Sequence, residues 1–177
     1  MTTTHINEVS PPTVTRPAPW KAWVSRIGLA ALVLFCLWMA WPMAKGVWYG
    51  IAPPAPVPAD QLPAWRESYS VALAEAKATG LPVLIDFTAS WCPPCRVMEH
   101  DVWPDPRVRE AIAGRVIPVQ VDIDDPQSAV ATRQHEVSGI PTILIVDGAG
   151  NELTRGGFMS AGDLVAFIEE RATMPID

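Results

Sequence analysis

The 177-residue chain is poor in cysteine, with only Cys36, Cys92 and Cys95. Three thiols cannot staple a small secreted scaffold; a close pair plus a singleton fits one redox site better. Basic residues are scarce too: 13 Lys and Arg stand against 19 Asp and Glu, for a net charge of −6. Residues 1–59 hold Arg16, Lys21, Arg26 and Lys45 against Glu8 alone, so the acidic excess falls on residues 60–177. Phosphate binding needs a basic footprint, which argues against nucleic acid as a partner. No internal repeat is present. Charge of either sign is missing altogether from residues 27–44.

That uncharged stretch is the second informative feature. Eighteen residues of helix span about 27 Å, close to the roughly 30 Å hydrocarbon core of a bilayer. Trp20 and Trp23 precede it and Trp41, Trp48 and Tyr49 close or follow it, the arrangement of an aromatic belt. A buried core helix seldom runs this long without a polar face. A cleaved signal peptide would have a shorter apolar run and a small-residue site, for which Pro42-Met43-Ala44 is a poor match. Residues 27–45 are therefore expected to be an uncleaved transmembrane anchor helix. Arg16, Lys21 and Arg26 lie before it, and only Lys45 soon after. The positive-inside rule then leaves residues 1–26 as a disordered cytoplasmic tail, Thr/Pro-rich at its start, and puts the rest outside the inner membrane, in the periplasm.

Residues 46–63 are expected to form a Pro-rich linker. Ile51 to Pro63 favours extended polyproline II, which at about 3.1 Å per residue could hold a domain up to roughly 40 Å from the membrane. From residue 64 to 177 the patterning is globular. Trp65, Tyr69, Leu73 and Ala76 recur at helical spacing, and Gly80 and Pro82 stop that helix. Residues 83–87 read as a buried strand and 93–102 as a helix. Asp105-Pro106 and Asp125-Pro126 each combine an N-cap with proline at the first helical position. Val116 to Ile123 and Thr142 to Val146 read as strands, Glu152 to Arg155 as a hairpin partner, and Leu164 to Ile168 as part of a closing helix. Strands alternating with helices, then a terminal hairpin and helix, predict an α/β sandwich.

Trp91-Cys92-Pro93-Pro94-Cys95 lies between the first strand and the following helix. Two cysteines three apart at a helix start can close a disulfide within one turn. The free N–H groups there favour a thiolate on the first cysteine. Cys92 should be the exposed attacker and Cys95, one turn deeper, the resolving thiol. Half of a zinc site has the same spacing, but two more ligands are needed. With Cys36 in the apolar run, only His100, His135 and carboxylates could supply them, so no metal is expected. Covalent haem attachment wants His after the second cysteine, where Arg96 stands. The redox-active group is then the Cys92–Cys95 disulfide itself, with no other cofactor.

Asp86 is a carboxylate inside an apolar strand, six residues before Cys92. It is either a desolvated base with a raised pKa that moves protons for Cys95, or a strand-end carboxylate that reaches solvent. Glu99 shares a helical face with Cys92 and Cys95, where its charge would disfavour the neighbouring thiolate unless Arg96 folds in to oppose it; a solvated surface Glu reads equally well. Gly139-Ile140-Pro141-Thr142 opens the third strand, and proline at that position is ordinary. Phe158 and Met159 border a groove or cap the core, and Trp103 reads as core or rim packing.

Taken together, Asp86, Trp91 to Arg96, Gly139 to Thr142 and Gly156-Gly157 resemble the thioredoxin superfamily, over about residues 64–172. Asp86 with Glu99, Asp105 to Val108, Pro141 to Leu144 and Gly157 to Met159 are similar to the C-terminal thioredoxin-like domain of the DsbD family. The resemblance implies a thioredoxin fold, with a central mixed sheet flanked by helices. It implies a buried Asp86, a cis bond before Pro141, and Asp86 and Glu99 holding back the attacking Cys92. Trp91, Pro93, Pro94, Ile140 and Pro141 would form the surface that meets substrate. The implied activity is a membrane-anchored periplasmic thiol:disulfide oxidoreductase that reduces disulfides of extracytoplasmic proteins. A thioredoxin for cytochrome c maturation and a redox-inactive binding or chaperone module stay open beside it. With one span, the chain would need a separate electron donor. Pro93-Pro94, and Gln120 where many thioredoxins carry lysine, depart from the family pattern; the redox potential depends on these positions and stays open. Family potentials run from about −270 to −120 mV.

Overall fold

The computed structural model describes residues 19–52 and 54–172. The tail expected at 1–26 lies outside them as far as residue 18. Two compact units are present, Met1–Ala40 and Trp41–Asp177. The first unit, where described, is the start of helix α1 (Pro19–Ile51). Leu29, Leu32, Leu34, Phe35, Leu37 and Trp38 are all exposed along it.

Of two expectations about this region, the anchor is supported only by two helix pieces taken together, and the linker is corrected. No single helix among the described residues is long and apolar enough to cross a membrane. Only two pieces taken together, Gly28–Trp41 and Ala44–Ile51, pass on length and composition. Pro42 stands between them in the sequence, and proline inside a helix interrupts the hydrogen-bond ladder. The Pro-rich linker also starts later than residue 46, because α1 continues to Ile51. Nor is its far end a free spacer. Pro63 is buried, Leu62 and Trp65 pack on the core, and the Asp60 carbonyl accepts from Arg109 Nη1 at 3.0 Å.

In the second unit, α2 (Tyr69–Thr79) starts where the Ser68 hydroxyl accepts from the Val71 N–H, and ends at Gly80 with φ 75°, a left-handed turn that glycine makes without steric cost. Then follow β1 (Val83–Thr88), α3 (Pro93–Val97), one π-helical turn (Met98–Val102) and α4 (Pro106–Ile112). The remainder is β2 (Ile117–Asp122), a 3₁₀ turn (Pro126–Ser128), α5 (Ala129–Gln134), β3 (Thr142–Val146), β4 (Glu152–Gly156) and α6 (Ala161–Ala172). Asp105 and Asp125 cap as expected, accepting from the N–H groups of Arg107 and Gln127. The helix expected over 93–102 is really α3 plus the π turn, closed by a bond from the Trp103 N–H to the Met98 carbonyl.

The sheet order is β2-β1-β3-β4, with β1 parallel to β2 and antiparallel to β3. Side chains alternate across it. Val83, Ile85 and Phe87 join Ala72, Ala76, Val119 and Leu144 in one core layer. Leu84 joins Met98, Trp103, Val108, Ile143 and Leu164 in the other. Being covered on both faces makes β1 a continuous apolar run, interrupted only by Asp86. By alternation Asp86 shares the Leu84 face, towards α3 and Trp103.

Candidate active site

The loop after β1 delivers Cys92 as the N-cap of α3, with Pro93 at the first helical position. Cys92 and Cys95 are joined in a disulfide with Cα atoms 5.3 Å apart. The Cys95 N–H points at Cys92 Sγ, 3.3 Å away. A helix-start amide aimed at that sulfur favours its negative form once the bond opens. The expectation of an exposed Cys92 is corrected in the disulfide form: both residues are buried, Cys92 at 2% and Cys95 at 5% exposure. The side of Cys95 instead opens to a cavity of about 340 Å³ that Thr88, Arg96, Glu99 and Gln120 also line. Arg96 does turn back on the loop, its Nε donating to the Ser90 carbonyl at 2.9 Å.

Asp86 is 3% exposed, which decides between its two readings in favour of a desolvated carboxylate. Burial pushes its pKa up to about 6, and the nearby charge of Glu99 adds to the rise. Two donors oppose this. Gln120 Nε2 donates to Asp86 Oδ2 at 3.0 Å, and the Trp103 indole, in the core layer that Asp86 faces, acts as a second donor that holds the pKa down. Gln120 also lines the cavity beside Cys95, so it stands between Asp86 and solvent. Glu99 is exposed on the same cavity, near both Cys95 and Asp86.

The Ile140–Pro141 bond is cis. Thr142 pairs with Phe87, so Pro141 sits at the end of β1 from which the cysteine loop departs. Both residues are half-buried; Ile140 leans on the layer of Val83, Ile85 and Phe87, and a Cβ added at Gly157 would lie 3.5 Å from the Pro141 carbonyl. Trp91 is 57% exposed, yet its indole Nε1 donates to Asp124 Oδ2 at 2.7 Å. Pro93 and Pro94 are half-buried. Phe158 is exposed, whereas Met159 packs on the core. Sequence reasoning missed Trp103 as a partner of Asp86, and Asp124 as the anchor of Trp91. Spacing carries no signal for either, since both contacts depend on tertiary packing. Among the described residues no three His, Cys, Asp or Glu side chains converge as a metal would need.

A dithiol couple beside a buried carboxylate, on a mixed sheet with a cis-proline, is the site of a thioredoxin-like domain. Residues 64–148 match the model of a thioredoxin-like family. Within that class the chain is similar to the thiol:disulfide interchange protein DsbD. It is 38% identical to the Escherichia coli K12 protein and 36% identical to that of Salmonella paratyphi A, each over 104 residues. Those matches take in 56% of this chain but only 18% of the relatives' length. A thioredoxin from Thermus thermophilus superposes with TM-score 0.56 at 28% identity, over 64% of this chain and 88% of that one. The oxidoreductase DsbH superposes with TM-score 0.57 at 22% identity, over 67% and 92%, a likeness of fold.

Proposed function

We propose that the protein is a membrane-anchored thiol:disulfide oxidoreductase that reduces disulfides in proteins outside the cytoplasm. The observation that carries the reading is the Cys92–Cys95 bond at a helix start, with buried Asp86 on the strand behind it. In the reduced protein the Cys92 thiolate attacks one sulfur of a substrate disulfide. The substrate bond breaks, a mixed disulfide forms, and the substrate's other sulfur leaves as a thiolate that takes up a proton. Cys95 then gives up its proton and attacks Cys92, expelling the second substrate sulfur. Asp86, with a pKa near 6, is mostly ionised at neutral pH and is suited to receive the Cys95 proton, directly or through the cavity that Gln120 lines. The substrate ends as a dithiol and the protein as its disulfide. A separate dithiol donor must supply two electrons and two protons for the next round.

The exposed apolar residues of α1 from Leu29 to Trp41 and the uncharged stretch 27–44 support the anchor. The charge before it supports a cytoplasmic N-terminus and a periplasmic domain. The DsbD relatives, thiol:disulfide interchange proteins by name, support protein disulfides as the substrate class.

Replacing Cys95 with Ser should trap substrates as mixed disulfides on Cys92, while Cys92→Ala/Cys95→Ser traps none. If the Cys95→Ser protein, reduced and mixed with insulin, forms no covalent adduct, the reading fails. Resistance of the full chain to alkaline carbonate extraction tests the anchor.

A further inference from the structure

We propose that the last two turns of α1, Lys45 to Ile51, are an intramolecular cap on the Cys92–Cys95 site, which a reductant or partner must displace to reach the sulfurs. The proposal rests on the redox reading of that pair.

The contacts all fall within the second compact unit. Gly46 is buried, and a Cβ there would collide with the Pro93 carbonyl, between the two cysteines. One turn on, a Cβ at Gly50 would meet the Arg96 guanidinium. Glycine is unfavourable in a helix interior, so these two positions weaken α1 locally. What they allow is an approach of helix backbone to active-site backbone that no other residue permits at 46. The same face carries Lys45, whose Nζ lies 2.5 Å from Asp101 Oδ2, and Tyr49, whose hydroxyl donates to Asp101 Oδ1 at 3.2 Å. The Tyr49 ring also meets His100 edge-on, 5.1 Å between centroids. Residues 45, 46, 49 and 50 form one stripe at helical spacing, and it faces α3 and the π turn. Val47, Trp48 and Ile51, on the opposite side, are exposed. The segment therefore presents one face to the domain, and that face is built for the Cys92 side of it.

The consequence is steric. Disulfide exchange needs a third sulfur to approach the bond. With helix backbone against the Pro93 carbonyl, the Pro93 side of that approach is filled, and Cys92 is 2% exposed. The closed form is held by one partly exposed ion pair and a small packed stripe, so it opens readily. Reactivity then follows the open fraction.

The test uses the full-length oxidised protein in detergent, in a Cys36→Ser background, with dithiothreitol as the probe. Its two thiols become a cyclic disulfide as Cys92–Cys95 becomes a dithiol, and mass-tagging of the freed Cys92 reads the rate. Lys45→Glu sets like charges together and should open about two- to five-fold faster. Lys45→Glu/Asp101→Lys should return to the parental rate. Gly46→Ala, which favours helix but not docking, should also be faster. Gly50→Ala should act less, because the flexible end of Arg96 can move aside. Amide exchange over residues 47–51 should rise in the fast variants. Parental or slower rates in both Lys45→Glu and Gly46→Ala overturn the cap, whether or not amide exchange changes. Failure of the redox reading looks different: the opened parental dithiol would not reduce insulin, whatever the opening rates.

Discussion

The Gln120 side chain donates to Asp86 across the parallel β1/β2 register, in which the two residues are direct partners. Gln120 is itself exposed and edges the cavity beside Cys95, whereas Asp86 is buried. A neutral amide thus bridges a buried carboxylate to water. A hydrogen bond to a charged group contributes about 1.5–3 kcal/mol, and water reaching the vacated position would offset part of it. Gln120→Leu should therefore raise the Asp86 ionisation midpoint by about one pH unit. Carboxyl-labelled NMR of Asp86 reads this directly, and the pH profile of Cys95-dependent resolution should move up with it. A midpoint that stays put would mean that the Trp103 bond and burial alone set the Asp86 ionisation.

Burial of Asp86 makes a definite demand on stability. Its folded pKa, about 6, lies above the ordinary 3.8. Between those values the folded state binds more protons than the unfolded state, so stability falls as pH rises through this window. The penalty is fully present above pH 6 and absent below about 4. Two units correspond to roughly 3 kcal/mol, as an order of magnitude. Asp86→Asn keeps an acceptor for Gln120 and Trp103 without the charge. It should raise the melting temperature by several degrees at pH 7 and leave it nearly unchanged at pH 4, while slowing resolution by Cys95. Equal gains at both pH values would assign the effect to packing and not to ionisation.

Much of this was legible in the sequence because it rests on local rules. The Asp-Pro caps at 105 and 125 begin helical turns, and Thr142–Val146 is a strand with those bounds. Three departures have physical causes. The π turn at Met98–Val102 is invisible to a 3.6-residue period, which reads straight through it. Trp103, whose N–H closes that turn, also holds the Asp86 pKa down as a side-chain donor, so a residue that looks like core packing touches the site. Helix α1 outlasts its uncharged stretch because its last turns pack on the domain through Lys45, Gly46 and Tyr49, which shortens the linker. Cys92 looks exposed by analogy with an attacking thiol; nothing local to the Cys-Pro-Pro-Cys run foretells a distant helix against Pro93.

The double role of Trp103 can be separated. Its ring is 1% exposed and packs edge-on against Trp65, 5.0 Å between centroids. Trp103→Phe keeps an aromatic ring in that layer but removes the indole donor. It should raise the Asp86 midpoint as Gln120→Leu does, at a cost of about 1–2 kcal/mol for the lost volume and bond. Trp103→Ala should cost about 3–5 kcal/mol through the cavity it leaves. Urea unfolding at pH 7, set against the NMR midpoint, distinguishes the two effects. A Phe variant with an unchanged midpoint would reduce Trp103 to a packing residue.

Trp91 offers the last separation, between shaping the docking surface and supporting the fold. The ring is largely exposed, and its one polar tie is the 2.7 Å bond to Asp124, in the loop after β2. An exposed aromatic held by a hydrogen bond at one end contributes little burial energy, so Trp91→Ala should cost less than about 1 kcal/mol of stability. Its pre-set orientation would instead matter when a protein chain packs on it, since a fixed side chain loses less freedom on binding. Asp124→Ala frees the indole but leaves the ring in place. It should raise KM for insulin several-fold, with little change in the rate at which dithiothreitol opens Cys92–Cys95. Trp91→Ala should raise KM further. If both variants instead slow the small reductant as much as insulin turnover, Trp91 acts on the disulfide itself and not on the partner's docking.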